Sequence, residues 1–548
     1  MIQNINTFVI TKKNYFLFAT LTVGYLNRGK LDYFIKSITN LLLYGNIKKQ
    51  IISRLFSISM FFPYFRNKVE EKLTPVRENI KKDIINAQPT LRVVKLPEEG
   101  ISYTKIMQNL SSFVNNDNKF YTNKKLSGTL YNIPDENEKH LLKNCMDYYY
   151  KTNPLHADIY PSLISMEKDI ISMTKNILNC PADKGMGSLT TGGTESIILA
   201  LFGYREYAKK YKNINYPEAI APSTVHPAFD KGCYYLGIKL RKIQVDNKNN
   251  LNKLQLRLAI NENTILLIGS APSFPHGLMD DFNYLSYLAN IHQLPLHVDA
   301  CLGGFVLSFL DKDEPLFTDL NNAWDFRNPF VTSISIDTHK YGCCPKSSSV
   351  IIFKEEKMFE CCYFIQNSWS GGIYATTNIT GSRSGLSIAW TWSILNSLGY
   401  NKLKKQAENI SNNVKKIKNS FANDADIFVY GEPRVCVVAF GSNTLNIYKI
   451  SQKLKEEGWN LNELQNPPSF HLCVTNCHND EIIDEFIKSL KSIVDLLINE
   501  KLNKNKTNSI SNDEQCGSIY GTTQRVPDKS VIDKVVTSYL NCLHKELT

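Results

Sequence analysis

Between Pro161 and Phe353 short apolar runs alternate with amphipathic stretches, and no other feature restricts the fold of this chain so strongly. The runs AIAPST (219–224), TILLIGS (264–270), LPLHVDA (294–300), TSISI (332–336) and SSVIIF (348–353) are of strand length and nearly continuous in apolar character. Strands of that kind are covered on both faces. Stretches such as Thr194–Lys210 and Asp281–His292 carry apolar residues at helical spacing and separate several of the runs. The alternation predicts an α/β fold, a mostly parallel sheet with helices on both sides, in which ligands bind beyond the carboxyl ends of the strands. After Gly385 the pattern changes. Helical stretches at 387–420, 446–457 and 480–500 bracket the strand-like DIFVYG, RVCVVAF and SFHLCVT, which predicts a smaller α+β domain. The polar segment 503–515 reads as a loop before a last helix near 530–545.

Charge and cysteine usage narrow the function classes. The net charge of +11 is concentrated in residues 1–90, where 14 Lys and Arg stand against 5 Asp and Glu. A nearly neutral body behind a basic arm is not the footprint of a nucleic-acid-binding protein. The arm holds the uncharged windows Asn14–Asn27, Ser37–Ile47 and Leu55–Phe65, each shorter than a membrane span requires. The mixture of aromatic and basic residues in RLFSISMFFPYFRNK (54–68) suits an interfacial helix. Thirteen cysteines without a CxxC pair support neither a disulfide framework nor a four-ligand zinc site, and no metal is expected.

The chemistry sits at the strand ends. TSISIDTHKYGCCPK (332–346) finishes a β-branched run with His339 and Lys340, and a lysine in apolar surroundings is costly unless paired, deprotonated or covalently used. TTGGTES (190–196) opens a helix with two glycines, and amides at such a start bind phosphate. HVDACLGG (297–304) leaves Asp299 at the end of another apolar run, and STVHPAFDKG (223–232) leaves His226 past a third. Each alone has a structural explanation, as helix cap, ion pair or turn. Together a lysine that condenses with an aldehyde, an acid that keeps a pyridine nitrogen protonated, a phosphate cup and a ring-stacking histidine are the parts of a pyridoxal phosphate site.

On further motifs the chain resembles the sphingosine-1-phosphate lyase family of the group II decarboxylase-related pyridoxal phosphate enzymes. They include SGTLY (127–131), NPLHADIYP (153–161), PSFPHGLMD (272–280), SGGIYATTNITGSRSG (370–385) and GWNLNELQNPPSFH (458–471). The resemblance implies the aspartate-aminotransferase-type fold (fold type I), with a membrane-associating region at 1–66 and a dimer- and site-contributing segment at 67–160. A cofactor-binding large domain at 161–385 and a small domain at 386–548 follow. It implies Lys340 as the lysine bonded to pyridoxal 5'-phosphate, with a cationic neighbour helping to lower its pKa. Asp299 falls on the pyridine nitrogen, His226 on the ring face, and Gly193, Thr194, Thr338 and His339 at the cofactor phosphate. Tyr131, Asn153, His156 and Lys346 fall around the substrate phosphate and leaving group, with His156, Tyr131 or Lys340 as general base. The implied substrate is a phosphorylated sphingoid base, cleaved between C2 and C3 to a long-chain aldehyde and phosphoethanolamine. A homodimer with shared sites is implied, the segment with Tyr131 and Asn153 and the Gly371–Gly372 loop serving the neighbouring subunit. So is an endoplasmic reticulum membrane location with the catalytic body facing the cytosol. The alternative is a pyridoxal phosphate-dependent amino-acid decarboxylase, in which Arg383 would clamp the substrate carboxylate.

Overall fold

The computed structural model describes residues 95–121, 124–246, 250–310, 323–507 and 529–544, with scattered positions between 62 and 82. Contacts divide the chain into two units, residues 89–524 and residues 1–88 with 525–548. The last helix, Lys529–His544, therefore groups with the N-terminal residues and not with the small domain in which it was expected. Most of the basic arm, including ten of the fifteen residues 54–68, lies outside the described residues. So does the segment from 508 to 528, while the helix Asp480–Thr507 runs into what the sequence suggests is loop.

Seven strands of the described residues form the main sheet: β1 Met186–Thr190, β2 Glu218–Pro222, β3 Lys239–Ile243, β4 Thr264–Ser270, β5 Leu296–Asp299, β6 Val331–Ile336 and β7 Ser349–Phe353. Their order is β1-β7-β6-β5-β4-β2-β3. From β3 to β6 every pairing is parallel, and β7 runs antiparallel to both β6 and β1. The expected parallel core is present because β2, β4, β5 and β7 are buried along their whole length, as their apolar composition requires. His297, inside β5, is accommodated by Ser333 Oγ at 2.7 Å and Ser335 Oγ at 3.2 Å on the adjacent β6. Burial pushes it down to about 3, so it is a neutral core residue.

Two strands were not evident from the sequence. β3, KLRKI, is a charged edge strand, and β1, MGSLT, is short and partly polar. The hairpin of β8 Phe364–Trp369 and β9 Gly372–Thr376 was also missed, and it projects Ile365, Trp369 and Ile373 into solvent.

A second sheet is antiparallel, in the order β10-β11-β13-β12, from β10 Ile427–Val429, β11 Val437–Ser442, β12 Asn462–Leu464 and β13 Ser469–Cys473. The helix Gly385–Ser420 links the two regions and breaks its helical geometry at Gly399. Its first half packs Leu386, Ala389 and Trp390 against Cys145, Tyr149 and Met166 of two earlier helices. Its second half reaches the small sheet region through Ser411 Oγ to the Arg434 carbonyl and Asn413 Nδ2 to the His478 carbonyl. A domain boundary placed at its start thus falls within one continuous packing unit.

Candidate active site

A cavity of about 360 Å³ opens where the parallel strands end. β1 delivers Thr191 to Glu195, the turn after β2 delivers His226, β4 ends in Ser270, β5 in Asp299, and the segment after β6 supplies Asp337, His339 and Lys340. A larger cavity, of about 670 Å³, is walled by residues 277–279 and 428–435 and shares no residue with this one. Its volume is greater, but it holds none of the expected reactive groups.

The segment between Ile336 and Ser349 is folded tightly. Cys344 N donates to the Thr338 carbonyl at 3.1 Å and Cys343 N to the Lys340 carbonyl at 3.1 Å. Gly342 is required there, since a Cβ would stand 2.6 Å from the Thr338 carbonyl oxygen. His339 Nδ1 donates to the Ser348 carbonyl at 2.5 Å, and its Nε2 lies 3.6 Å from Asp337 Oδ2. Lys340 Nζ lies 3.0 Å from Asp337 Oδ2. Burial alone would depress the Lys340 ammonium, but the Asp337 carboxylate, with Cys301 and Asp299 beyond it, holds it above the ordinary lysine range. The expectation of a lowered value through a cationic neighbour is therefore corrected: the dominant neighbour is an anion, and unliganded Lys340 is charged. Burial pushes Asp337 up, and the charges of Lys340 and His339 more than offset it, leaving the acid below its usual range.

Asp299 accepts a hydrogen bond from Cys301 N at 3.1 Å, and no cationic side chain pairs with it among the described residues. A buried carboxylate so placed calls for a cationic ligand group. His226 caps the helix Pro227–Leu236, its Nδ1 accepting from Ala228 N at 3.1 Å, and burial holds its pKa down despite the Asp299 charge. The ring is thus neutral and has Phe274 at its edge, 6.3 Å between centroids. Gly193 begins the helix Gly193–Lys212, whose first amides lack intrahelical acceptors. A Cβ at Gly193 would stand 2.7 Å from Asp337 Oδ1 and 2.9 Å from Cys301 Sγ, so only glycine permits this approach of loop to strand end. Buried Ser270 Oγ, Glu195 Oε1 and Asp337 Oδ1 have no hydrogen-bond partner among the described residues. An anion cup, an uncompensated acid, a neutral ring, a lysine and unpartnered polar atoms lining one cavity fit pyridoxal 5'-phosphate.

The structure brings Gly193, Thr194, His226, Asp299, His339 and Lys340 together around this cavity. Thr338 is fully buried, and its Oγ1 donates to Ser348 Oγ at 2.7 Å, so its side chain braces the turn and does not line the cavity. Tyr131 packs edge-on against Tyr341, 5.0 Å between centroids, with Lys346 Nζ 5.0 Å from its ring centre. Tyr131 thus packs against its own chain's turn. Burial, with Cys473 beside it, pushes the phenol far up, and it keeps its proton at any physiological pH. Lys346 is depressed by burial and then by the charge of Lys340, and it has no carboxylate partner among the described residues.

Asn153 and His156 are not brought to the cavity of their own chain. Asn153 Nδ2 donates to Ser382 Oγ at 3.1 Å and its Oδ1 accepts from Arg383 N at 3.3 Å, while His156 is exposed. Arg383 is held by Glu167, with Nη1 2.8 Å from Oε1 and Nη2 2.5 Å from Oε2, and also donates to the Leu189 carbonyl. A guanidinium committed in this way is not a free clamp for a substrate carboxylate. Among the residues sequence reasoning passed over, Asp337 stands out. It is an acid at the end of an apolar strand just as Asp299 is, and the same rule would have found it.

The strand order, the strand-end cavity and its lysine, acid and phosphate cup define a fold-type I pyridoxal phosphate enzyme. Residues 94–443 match the pyridoxal-dependent decarboxylase conserved domain. The chain is 36% identical over 502 residues to a sphingosine-1-phosphate lyase of Saccharomyces cerevisiae, covering 90% of this chain and 82% of that protein. It is 35% identical to sphingosine-1-phosphate lyase 1 of Mus musculus, covering 92% and 85%. Among solved structures, a sphingosine-1-phosphate lyase of Burkholderia pseudomallei superposes with a TM-score of 0.71 at 31% identity, covering 76% of this chain and 96% of that one. The chain belongs to the sphingosine-1-phosphate lyase family, and its cofactor is pyridoxal 5'-phosphate.

Proposed function

We propose that this chain cleaves the C2–C3 bond of a phosphorylated sphingoid base, releasing a long-chain aldehyde and phosphoethanolamine. The observation that carries this over decarboxylation is the disposition of cations. Arg383 is occupied by Glu167, whereas Lys346, exposed beside Tyr131, has no anionic partner among the described residues and suits a phosphate as a point charge. Bound pyridoxal 5'-phosphate supplies the sink for the electron pair freed when the carbon–carbon bond breaks. Lys340 would hold the cofactor through its amine. Asp299 would keep a proton on the ring nitrogen, neutral His226 would cover the ring face, and the helix start at Gly193–Thr194 would take the cofactor phosphate.

The C3 hydroxyl must lose a proton. Tyr131 retains its own proton and is not ready to accept one. Lys340, whose amine would be freed when the substrate takes its place, and His156, which from its exposed position would act in the site of a second copy, are the candidates. The exposed apolar side chains of the β8–β9 hairpin, with Gly371 and Gly372 at its turn, support a homodimer with shared sites. Association of residues 1–66 with the endoplasmic reticulum membrane, the catalytic body facing the cytosol, is proposed from the basic arm. No helix of the described residues is long and apolar enough to cross a membrane.

The test is direct. The full chain loaded with pyridoxal 5'-phosphate is incubated with a phosphorylated sphingoid base and, separately, with labelled amino acids. Aldehyde and phosphoethanolamine are the expected products, and carbon dioxide without aldehyde would overturn the reading. Fractionating cells that express the chain with and without residues 1–66 tests the membrane proposal, sedimentation tests the dimer, and activity regained on mixing His156→Ala with Lys340→Ala subunits tests the shared site.

A further inference from the structure

The carboxylate of Asp337 is 3% exposed and lies directly against the reactive amine, one oxygen 3.0 Å from Lys340 Nζ and the other without a hydrogen-bond partner among the described residues. An ion pair kept only for stability closes both oxygens on donors, since an unmade hydrogen bond to a buried oxygen costs about 1–3 kcal/mol. Gly193 approaches that open oxygen so closely that any side chain there would collide with it. Asp299, the acid expected to matter most, makes no ion pair with Lys340 among the described residues and accepts instead from Cys301 N.

We propose that Asp337 is the positioning residue that sets the charge of the Lys340 nitrogen, holding it as an ammonium until the cofactor aldehyde arrives and so governing how fast the cofactor is captured. The proposal rests on the pyridoxal phosphate reading of the cavity. Capture needs the neutral amine. The ammonium gives one proton to solvent, the nitrogen bonds to the aldehyde carbon, and the carbonyl oxygen leaves as water with the two remaining nitrogen-bound hydrogens. Other groups act on the same carboxylate. His339 lies on its own segment, Cys301 and Asp299 at the end of β5, and His226, Lys346 and Tyr131 further out. Among the described residues Lys340 makes the charged contact at 3.0 Å, the Ser349 hydroxyl also acts on the carboxylate, and His339 Nδ1 is already committed to the Ser348 carbonyl, which leaves Asp337 as the anion best placed to set the amine's proton affinity.

The experiment uses the full chain freed of cofactor, mixed with pyridoxal 5'-phosphate between pH 6 and 9 and quenched with borohydride at fixed short times. Peptide mass mapping then gives the fraction of Lys340 modified. Wild-type capture is expected to accelerate about tenfold per pH unit, as for an amine titrating above the range. Removing an opposite charge at this distance shifts a pKa by about 1–3 units, so Asp337→Asn is expected to capture roughly 10- to 1000-fold faster at pH 7. Asp337→Glu, which keeps the anion, is expected to retain the wild-type slope. Capture by Asp337→Asn within about twofold of wild type at pH 7 overturns the proposal, and so does a wild-type rate independent of pH; the latter decides the matter even where the variant does not fold. Absence of any modification of wild-type Lys340 would instead overturn the cofactor reading itself, and this proposal with it.

Discussion

Two buried ion pairs flank the strand ends of the main sheet, and they are built differently. Glu167 and Arg383 are joined by two parallel contacts, and the carboxylate also accepts from Leu189 N at 3.0 Å and the Ser188 hydroxyl at 3.4 Å. Both oxygens of that carboxylate are taken by donors. Asp337 and Lys340 share a single contact, one carboxylate oxygen is open, and the amine faces a cavity. The closed pair ties the helix Pro161–Ile177 to β1 and the loop before Gly385. The open pair can be dismantled in every catalytic cycle. Satisfaction of both carboxylate oxygens, more than burial, separates the structural pair from the reactive one.

The largest effect should come from breaking the open pair at its cation. Lys340→Ala is expected to abolish covalent attachment of the cofactor entirely, along with visible absorbance and turnover. A residual borohydride-stable adduct elsewhere in the chain would reassign the nucleophile. Breaking the closed pair should act on folding instead. Glu167→Ala leaves Arg383 buried and uncompensated, at a cost of about 3–5 kcal/mol read from denaturant melts. The pH profile of cofactor capture should stay where it is, and a shifted profile would show that the two pairs are coupled.

A third variant probes the cation beside the open pair. Lys346→Ala should raise KM for the phosphorylated base by roughly 10- to 100-fold, the worth of about 1.5–3 kcal/mol for a hydrogen bond to a charged group. The effect on kcat should be smaller, and an unchanged KM would remove Lys346 from the phosphate site. The mildest perturbation is acid. Burial holds His276, His471 and His478 down to about 4 and His297 to about 3, against about 6.5 in an unfolded chain. The unfolded state binds protons that these folded sites refuse, so their contribution to stability is full above pH 6.5 and is lost as pH falls toward 4 and then 3. None of the four belongs to either pair, so wild type should lose stability over that window, and Lys340→Ala, which removes the charge that holds Asp337, His339 and His226 down, should lose it with a different slope. Melting at a series of pH values measures it.

The contrast also marks how far the residues could be read without coordinates. Strands such as TILLIGS and SSVIIF were legible because burial on both faces demands unbroken apolar sequence, and their ends pointed to Asp299 and Lys340. Strand β3 escaped because an edge carries charges for negative reasons, to discourage pairing, and β8 and β9 because their apolar residues face solvent in one chain. Around the cavity, Gly193, His226, Asp299 and Lys340 could be named since turns and helix starts leave local marks. Which acid partners Lys340 could not be named. It depends on the turn after Ile336 placing Asp337 beneath the amine, and that geometry also reverses the sign of the pKa shift expected for the lysine. The fate of Arg383 was hidden for a related reason, because its partner Glu167 lies far away in the chain.

The antiparallel return of β7 beside β6 has one more consequence. In the parallel part of the sheet, whole helices intervene between neighbouring strands, and such connections tolerate added length. Lys340 instead rides on a direct return whose two ends are pinned by the Ser333–Phe353 to Ile336–Val350 ladder. The nucleophile is thereby gauged against the sheet like a mark on a ruler: an added residue between Ile336 and Ser349 must either bulge into the cavity or slip the ladder. Insertions, which surface loops elsewhere in the molecule can absorb, should be selected against here more severely than most substitutions.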